Sequence, residues 1–74
     1  MQPTQKVSDT VSGEIRAQLA RKRLTQGDLS TALGISQPQV SSRLLGRIGW
    51  SIDELATVAA WLDIPLADLV KDAA

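Results

Sequence analysis

The sequence predicts an all-α fold of five helices, and three observations lead to that prediction. Apolar residues recur at the three- and four-residue spacing that is typical of helices with one buried face. Several of these stretches begin with Ser or Thr and carry Asp, Glu or Gln three residues later, as capped helices do. No stretch has the pattern of a β-strand. The chain has 74 residues, so we expect one small domain that buries about 60% of its unfolded surface.

Residues 8–23 are predicted to form the first helix, on the four-residue spacing of Val11, Ile15 and Leu19. Gly13 costs about 1 kcal/mol relative to Ala, so we expect the first turn to fray or to start later. Residues 1–7 show no helical periodicity. They are expected to form a disordered arm ahead of a single domain at residues 8–74.

The second helix is predicted to begin at Thr25, because its hydroxyl is a good N-cap and Asp28 can stabilise the helix N-terminus. Gly34 should end this helix, since glycine readily adopts the left-handed conformation of a helix C-terminus. The helix would then present one apolar face, made of Leu29, Ala32 and Leu33.

A third helix is predicted directly after this turn. Ser36 and Gln39 form a second capping box, and Pro38 falls in the first turn, where a missing N–H costs little. Val40 and Leu44 lie one turn apart and are expected to face the core. The opposite face is left to what we call the outer residues: Gln37, Pro38, Ser41 and Ser42.

The outer residues carry no charge. A solvated helix face usually carries Lys and Glu, whereas Gln and Ser suit hydrogen bonding to base edges at close approach. A polar surface without a partner is the alternative interpretation, and these side chains alone leave both open.

The stretch from Thr25 to Gly46 resembles the helix-turn-helix of the Cro and lambda-repressor-like family. The positions that carry the resemblance are Gln26, Gly34, Gln37, Val40 and Gly46. The resemblance covers roughly residues 15–70 and implies a five-helix DNA-binding domain. It also implies a sequence-specific transcriptional regulator that binds double-stranded DNA. The expected protein is a small phage or bacterial repressor that acts in the cytoplasm as a homodimer.

The resemblance further implies roles for individual residues. The helix at residues 37–45 would lie in the major groove. Base contacts would come from the outer residues, Gln37, Pro38, Ser41 and Ser42. Phosphate contacts would come from Lys22, Arg23, Gln26, Ser36, Gln39, Arg43 and Arg47. For Lys22 and Arg23 another explanation stays open, because the helix dipole stabilises cations at a helix C-terminus.

Three positions depart from the pattern of this family. Ser30 stands where many members have alanine at the helix crossing. Gly27 stands where a better helix former is usual. Arg43 holds a position that is often apolar, so Leu44 is expected to supply that contact.

The fourth helix is predicted to begin at Ser51, which forms a capping box with Glu54. Trp50 and Leu55 then occupy the positions of a hydrophobic staple, which explains a tryptophan beside a loop without any ligand. Base stacking by a tryptophan is the alternative. The buried stripe is expected to contain Ile52, Leu55, Val58, Ala59 and Leu62, with Trp61 at its edge.

The segment Asp63-Ile64-Pro65 is expected to break the chain, and Pro65 should be the first residue of a short fifth helix. We expect a dimer to use this last helix, because no separate oligomerisation segment follows it. The side chains in question are Leu66, Leu69 and Val70.

The net charge of zero hides a division along the chain. Residues 1–50 carry seven basic and three acidic side chains, whereas residues 51–74 carry one basic and five acidic side chains. One side of the domain can therefore meet phosphates while the other keeps away from them. Lys6 is the single cation of the expected arm, and contact of that arm with DNA is an open alternative.

The composition argues against several classes of protein. Without cysteine and histidine, the chain has no disulfide, no thiolate metal site and no histidine base. No apolar run approaches the roughly 20 residues of a membrane span. Asp53 and Glu54 are adjacent carboxylates, but neighbouring side chains point about 100° apart on a helix, which argues against a catalytic pair. From these observations together we expect no enzyme, metal, cofactor or small-molecule ligand. An antitoxin-type protein-interaction module that also autoregulates by binding DNA is the alternative function.

Overall fold

The computed structural model describes residues 3–70, with side chains from residue 9 onward. Its helices in chain order are α1 (Pro3–Lys22), α2 (Gln26–Leu33), α3 (Gln37–Leu44), α4 (Ile52–Leu62) and α5 (Leu66–Val70). Residues 3–70 contain no strand. The predicted all-α fold of five helices is confirmed.

Helix α1 begins earlier than the sequence predicted. It starts at Pro3 and continues through Gly13 without a break, so the expected late or frayed start was wrong. Val11 and Ser12, directly before the glycine, are 2% and 1% exposed. Packing of this segment therefore outweighs the low helix propensity of Gly13.

The N-terminal arm predicted at residues 1–7 overlaps this helix. Residues 3–7 belong to α1, and residues 1–2 lie outside the described part of the chain. The division into an arm and a domain at residues 8–74 stays a prediction.

Capping boxes begin α2, α3 and α4, as predicted. In each, the N-cap hydroxyl accepts the backbone N–H of the third helical residue, whose side chain accepts the N-cap N–H in return. The pairs are Thr25 with Asp28, Ser36 with Gln39, and Ser51 with Glu54. Gly34 ends α2 in the left-handed conformation, with a φ of 69°. The helix-turn-helix geometry therefore follows from local sequence.

A single apolar core joins the helices. Its buried members are Val11, Ile15, Leu19, Leu29, Val40, Leu44, Leu55, Val58, Ala59, Leu62 and Leu69. Helix α1 packs against α3 and α5, α2 packs against α3 and α4, and α4 packs against α5. Helix α3 is thus held from two sides, and burial of Leu44 confirms that this residue supplies the apolar contact.

Three predictions for the last two helices were wrong. Ile52 is 73% exposed, because it is the first residue of α4 and the buried part of that helix begins about a turn later, at Leu55. Leu69 is 1% exposed and belongs to the core, so it is not available for a dimer contact. Helix α5 begins at Leu66, one residue after Pro65, whose carbonyl accepts the Asp68 N–H.

Candidate nucleic-acid interface

The N-terminal turns of α2 and α3 lie side by side. A Cβ built on Gly27 would lie 3.3 Å from Nε2 of Gln37 and 3.5 Å from Oγ1 of Thr25. The side-chain amide of Gln37 therefore rests against the first turn of α2. Gln26 is the exposed first residue of that helix. First-turn N–H groups lack partners within their helix and suit phosphate binding, so a base contact and a phosphate contact can share this edge.

The outer residues of α3 differ in exposure. Gln37 and Pro38 are exposed, whereas Ser41 and Ser42 are half-buried. The carbonyl of Ser41 accepts the Leu45 N–H at 2.9 Å, so the helix ends with its backbone satisfied at this point. The structure places all four predicted base-contacting residues on α3, with the first turn the most accessible part.

Ser36 and Gln39, two of the residues predicted to contact phosphate, already serve the capping box of α3. Oε1 of Gln39 accepts the Ser36 N–H at 3.0 Å, and Oγ of Ser36 accepts the Gln39 N–H at 3.3 Å. The hydroxyl proton of Ser36 and the amide NH2 of Gln39 are the donors left over. Both residues are exposed at the N-terminus of α3.

Helix α1 holds the C-terminal end of α3 through side chains that the sequence did not single out. Oγ of Ser12 donates to the carbonyl of Arg43 at 2.9 Å. Nη1 of Arg16 donates to the carbonyl of Leu44. Helix ends leave such carbonyls without partners inside the helix, so these two bonds fix α3 against α1. We call Ser12 and Arg16 the α1 anchor.

Gly46, two residues after the end of α3, is required by its backbone conformation. Its φ is 81°, in the left-handed region that favours glycine. A Cβ there would also approach Oδ1 of Asp9 to 2.7 Å. Asp9, Ser12 and Arg16 are spaced three and four residues apart, so one polar row of α1 faces the end of α3. That spacing beside an apolar stripe is the sequence pattern that could have identified the row.

Trp50 donates a hydrogen bond to Ser12 of the α1 anchor. Its Nε1–H donates to Oγ of Ser12 at 2.9 Å, and its half-buried ring packs against the core. Ser12 is 1% exposed and links the indole to the Arg43 carbonyl. The structure thus gives Trp50 a packing role, with a hydrogen bond that the staple interpretation did not include.

Arg43 lies against α4 and is held by several bonds. Its Nε donates to both carboxylate oxygens of Glu54 at 3.1 Å, and Nη2 lies 2.9 Å from Oε2. Nη1 donates to the Gln39 carbonyl at 3.0 Å. The Arg43 side chain is 14% exposed. This guanidinium is committed to joining α3 to α4.

The Glu54 carboxylate is correspondingly stabilised in its charged form. Hydrogen bonds from Arg43 lower the pKa of Glu54 below its ordinary value of 4.5, and burial opposes this effect. The bonds from Ser51 at the capping box and the charge of Arg43 act in the lowering direction. One carboxylate therefore caps α4 and pairs with α3 at the same time.

Three cations that were predicted to contact phosphate remain exposed. Lys22, Arg23 and Arg47 make no ion pair with any side chain of residues 9–70. Arg21 differs, because its guanidinium lies 3.6 Å from Glu14. Lys22 ends α1, and Arg23 follows it with a φ of 56°. The free cations therefore precede α2 at one end and follow α3 at the other.

Other kinds of site are not evident in the described residues. No group of three His, Cys, Asp or Glu side chains there could hold a metal ion. Within the same part of the chain, no helix is both long and apolar enough to cross a membrane.

Comparison with known proteins agrees with this geometry. No curated protein and no solved structure gives a significant match to the sequence. The family model of the Cro/C1-type helix-turn-helix DNA-binding domain matches residues 14–74, which include α2 to α5 and part of α1. The chain therefore belongs to the Cro/C1-type helix-turn-helix family of DNA-binding domains.

Proposed function

We propose that the protein is a small transcriptional repressor that recognises its operator by placing α3 in the major groove of DNA. The observation that carries this proposal is the first turn of α3. It presents an exposed, uncharged surface at Gln37 and Pro38, beside the N-terminus of α2. Occupation of a promoter would block transcription without catalysis, metal or cofactor, and would take place in the cytoplasm.

Base recognition in this proposal centres on Gln37. Its side-chain amide can donate to N7 of adenine while its carbonyl oxygen accepts from the N6 amino group, which makes a bidentate pair. Ser41 and Ser42 lie one turn further along the helix and offer hydroxyls that suit any base edge. Pro38 supplies an apolar surface that suits the methyl group of thymine.

Phosphate contacts position this helix in the groove. Lys22 and Arg23 approach the backbone from the end of α1, and Arg47 approaches it from the segment after α3. Gln26, Ser36 and Gln39 contribute polar groups at the two helix N-termini. Arg43 is not part of our phosphate set, because Glu54 already binds its guanidinium.

A homodimer fits the apolar side chains that the fold leaves exposed. Leu45, Ile48 and Ile52 are 62%, 45% and 73% exposed, and they lie in the stretch that runs from the end of α3 to the start of α4. Leu66, at 37%, is the exposed leucine of α5. We propose that a second copy covers part of this surface when two chains occupy half-sites about 34 Å apart on one face of the duplex.

Selection of bound sites from a pool of randomised duplexes tests the proposal. We expect enrichment of one sequence with two-fold symmetry, and sedimentation should show two chains on each selected duplex. If no sequence is enriched over the starting pool, sequence-specific regulation is contradicted. A saturating ratio of one chain per duplex would instead contradict only the homodimer.

Arg47→Ala tests the phosphate contacts separately. It should weaken binding to selected and scrambled duplexes alike. The slope of log affinity against log salt concentration should become shallower by about one unit for each phosphate that is no longer neutralised. Lys22→Ala is the matching change on the other side of the helix pair. A weakening confined to the selected duplex would show that Arg47 binds a base.

A further inference from the structure

The backbone conformation of residue 27 does not require a glycine. Gly27 lies in the first turn of α2, and the glycines with a positive φ are Gly34 and Gly46. Any L-residue can therefore adopt the backbone conformation at position 27. Glycine inside a helix lowers stability by roughly 0.5–1 kcal/mol relative to Ala. The explanation for Gly27 must lie in what surrounds it.

The surroundings of Gly27 point to Gln37. A Cβ at position 27 would lie 3.3 Å from Nε2 and 3.7 Å from Cδ of Gln37. The first distance is tighter than nine in ten Cβ contacts in proteins, so the neighbour must shift by a few tenths of an ångström. The atoms that would shift belong to the carboxamide that carries the hydrogen-bonding groups of Gln37.

We propose that Gly27 is a positioning residue for base recognition, because its missing side chain lets the Gln37 amide rest against α2 in the orientation that meets a base. This inference rests on the proposed function of α3. A bidentate pair between an amide and adenine requires two aligned hydrogen bonds, and such bonds weaken steeply as the angle departs from linear. A methyl group at position 27 would push the amide away from α2 and disturb that alignment.

The test compares Gly27→Ala with Gly13→Ala. Both replace a helical glycine outside the left-handed region, but a Cβ at Gly13 meets nothing within 4 Å. Both variants should therefore be at least as stable as the parent protein to urea. Affinity is then measured for the selected duplex and for duplexes with single base-pair substitutions, and the ratio of affinities gives the discrimination.

We expect Gly27→Ala to reduce discrimination at one base pair by about threefold or more, out of the roughly 5- to 150-fold that one bidentate contact supplies. Gly13→Ala should leave discrimination unchanged at every base pair. In a chain that already carries Gln37→Ala, adding Gly27→Ala should cause no further reduction, because the group that it positions is gone.

The inference is overturned if Gly27→Ala discriminates as well as Gly13→Ala, or if it weakens all duplexes equally. It is also overturned if Gly27→Ala has its full effect in the absence of the Gln37 amide. When Gln37→Ala itself abolishes discrimination, these outcomes leave the proposed function intact. If Gln37→Ala changes nothing, the assigned role of α3 fails and the inference fails with it.

Discussion

The two sides of helix α3 are built in opposite ways. The inner side carries buried apolar residues, the bonds from the α1 anchor, and the ion pair from Arg43 to Glu54. The outer side begins with Gln37 and Pro38, which are exposed and carry no charge. Stability is therefore concentrated on one side of the helix, and the surface that we propose for DNA recognition lies on the other.

This difference explains how a five-helix domain can hold α3 firmly while leaving the first turn of its outer side exposed. Polar groups of α3 are held as well as its apolar ones, because α1 binds carbonyls at its C-terminal end and Glu54 of α4 binds Arg43. Side chains held by a rigid helix contact bases with little loss of conformational entropy. Substitutions on the two sides should consequently affect different measurements.

The largest expected effect is at Leu44, on the inner side. Leu44→Ala should lower the free energy of unfolding by about 2–5 kcal/mol, because the side chain is 4% exposed and its removal leaves a cavity. Leu45→Ala is the matched control, since Leu45 is 62% exposed and should change stability by less than about 0.5 kcal/mol. Urea unfolding of both variants measures the difference. Similar losses of unfolding free energy in the two variants would contradict the conclusion that stability is concentrated on the inner side.

A smaller loss is expected from the α1 anchor. Ser12→Ala leaves the Trp50 indole N–H and the Arg43 carbonyl without the hydroxyl that links them, which should cost about 1–3 kcal/mol of unfolding free energy. Trp50→Phe removes the same indole bond from the other partner. The two substitutions combined should cost less than the sum of their separate effects. Strict additivity would show that this hydrogen bond does not contribute to stability.

The ion pair on the inner side predicts a pH dependence. The pKa of Glu54 is lowered in the folded protein, so its stabilisation is present above the unfolded pKa and is lost as pH falls through the folded pKa. Glu54→Gln keeps a side-chain acceptor for the Ser51 N–H but removes the charge. Urea unfolding from about pH 7 down to about pH 3 should therefore show a shallower acid loss for the variant. Equal slopes in that acid range would contradict the contribution of this pair.

The local parts of the fold could be predicted from the sequence, because they depend on residues close together in the chain. Each capping box joins residues three apart, and Gly34 ends α2 through its own backbone. The apolar stripe of α1 and the inward pair Val40 and Leu44 follow from helical periodicity. The relative placement of α2 and α3 follows from these features together.

The contacts that orient α3 could not be predicted in the same way, because they join distant parts of the chain. Ser12 meets Arg43 and Trp50 across 31 and 38 positions. A buried serine and a solvated serine look alike in sequence. Arg43 stands where the family often has an apolar residue, but only the packing of the folded chain shows that Glu54 is its partner.

The burial of residues in α4 and α5 could not be fully predicted from the sequence either. Ile52 continues the periodic stripe of α4, yet it lies at the first residue of that helix and faces solvent. Leu69 resembles a surface residue of a short last helix, yet it completes the core. Periodicity identifies a face of a helix, whereas burial depends on how far the neighbouring helices extend along it.

The smallest expected change in stability, at Gln37, gives the most direct test of the division between the two sides. Gln37→Ala should change the unfolding free energy by less than about 0.5 kcal/mol, because the residue is exposed. Titrations against the selected and scrambled duplexes at several salt concentrations then measure recognition. We predict that binding to the selected duplex weakens by about 1–3 kcal/mol and that binding to the scrambled duplex barely changes. Equal weakening on both duplexes would contradict the account.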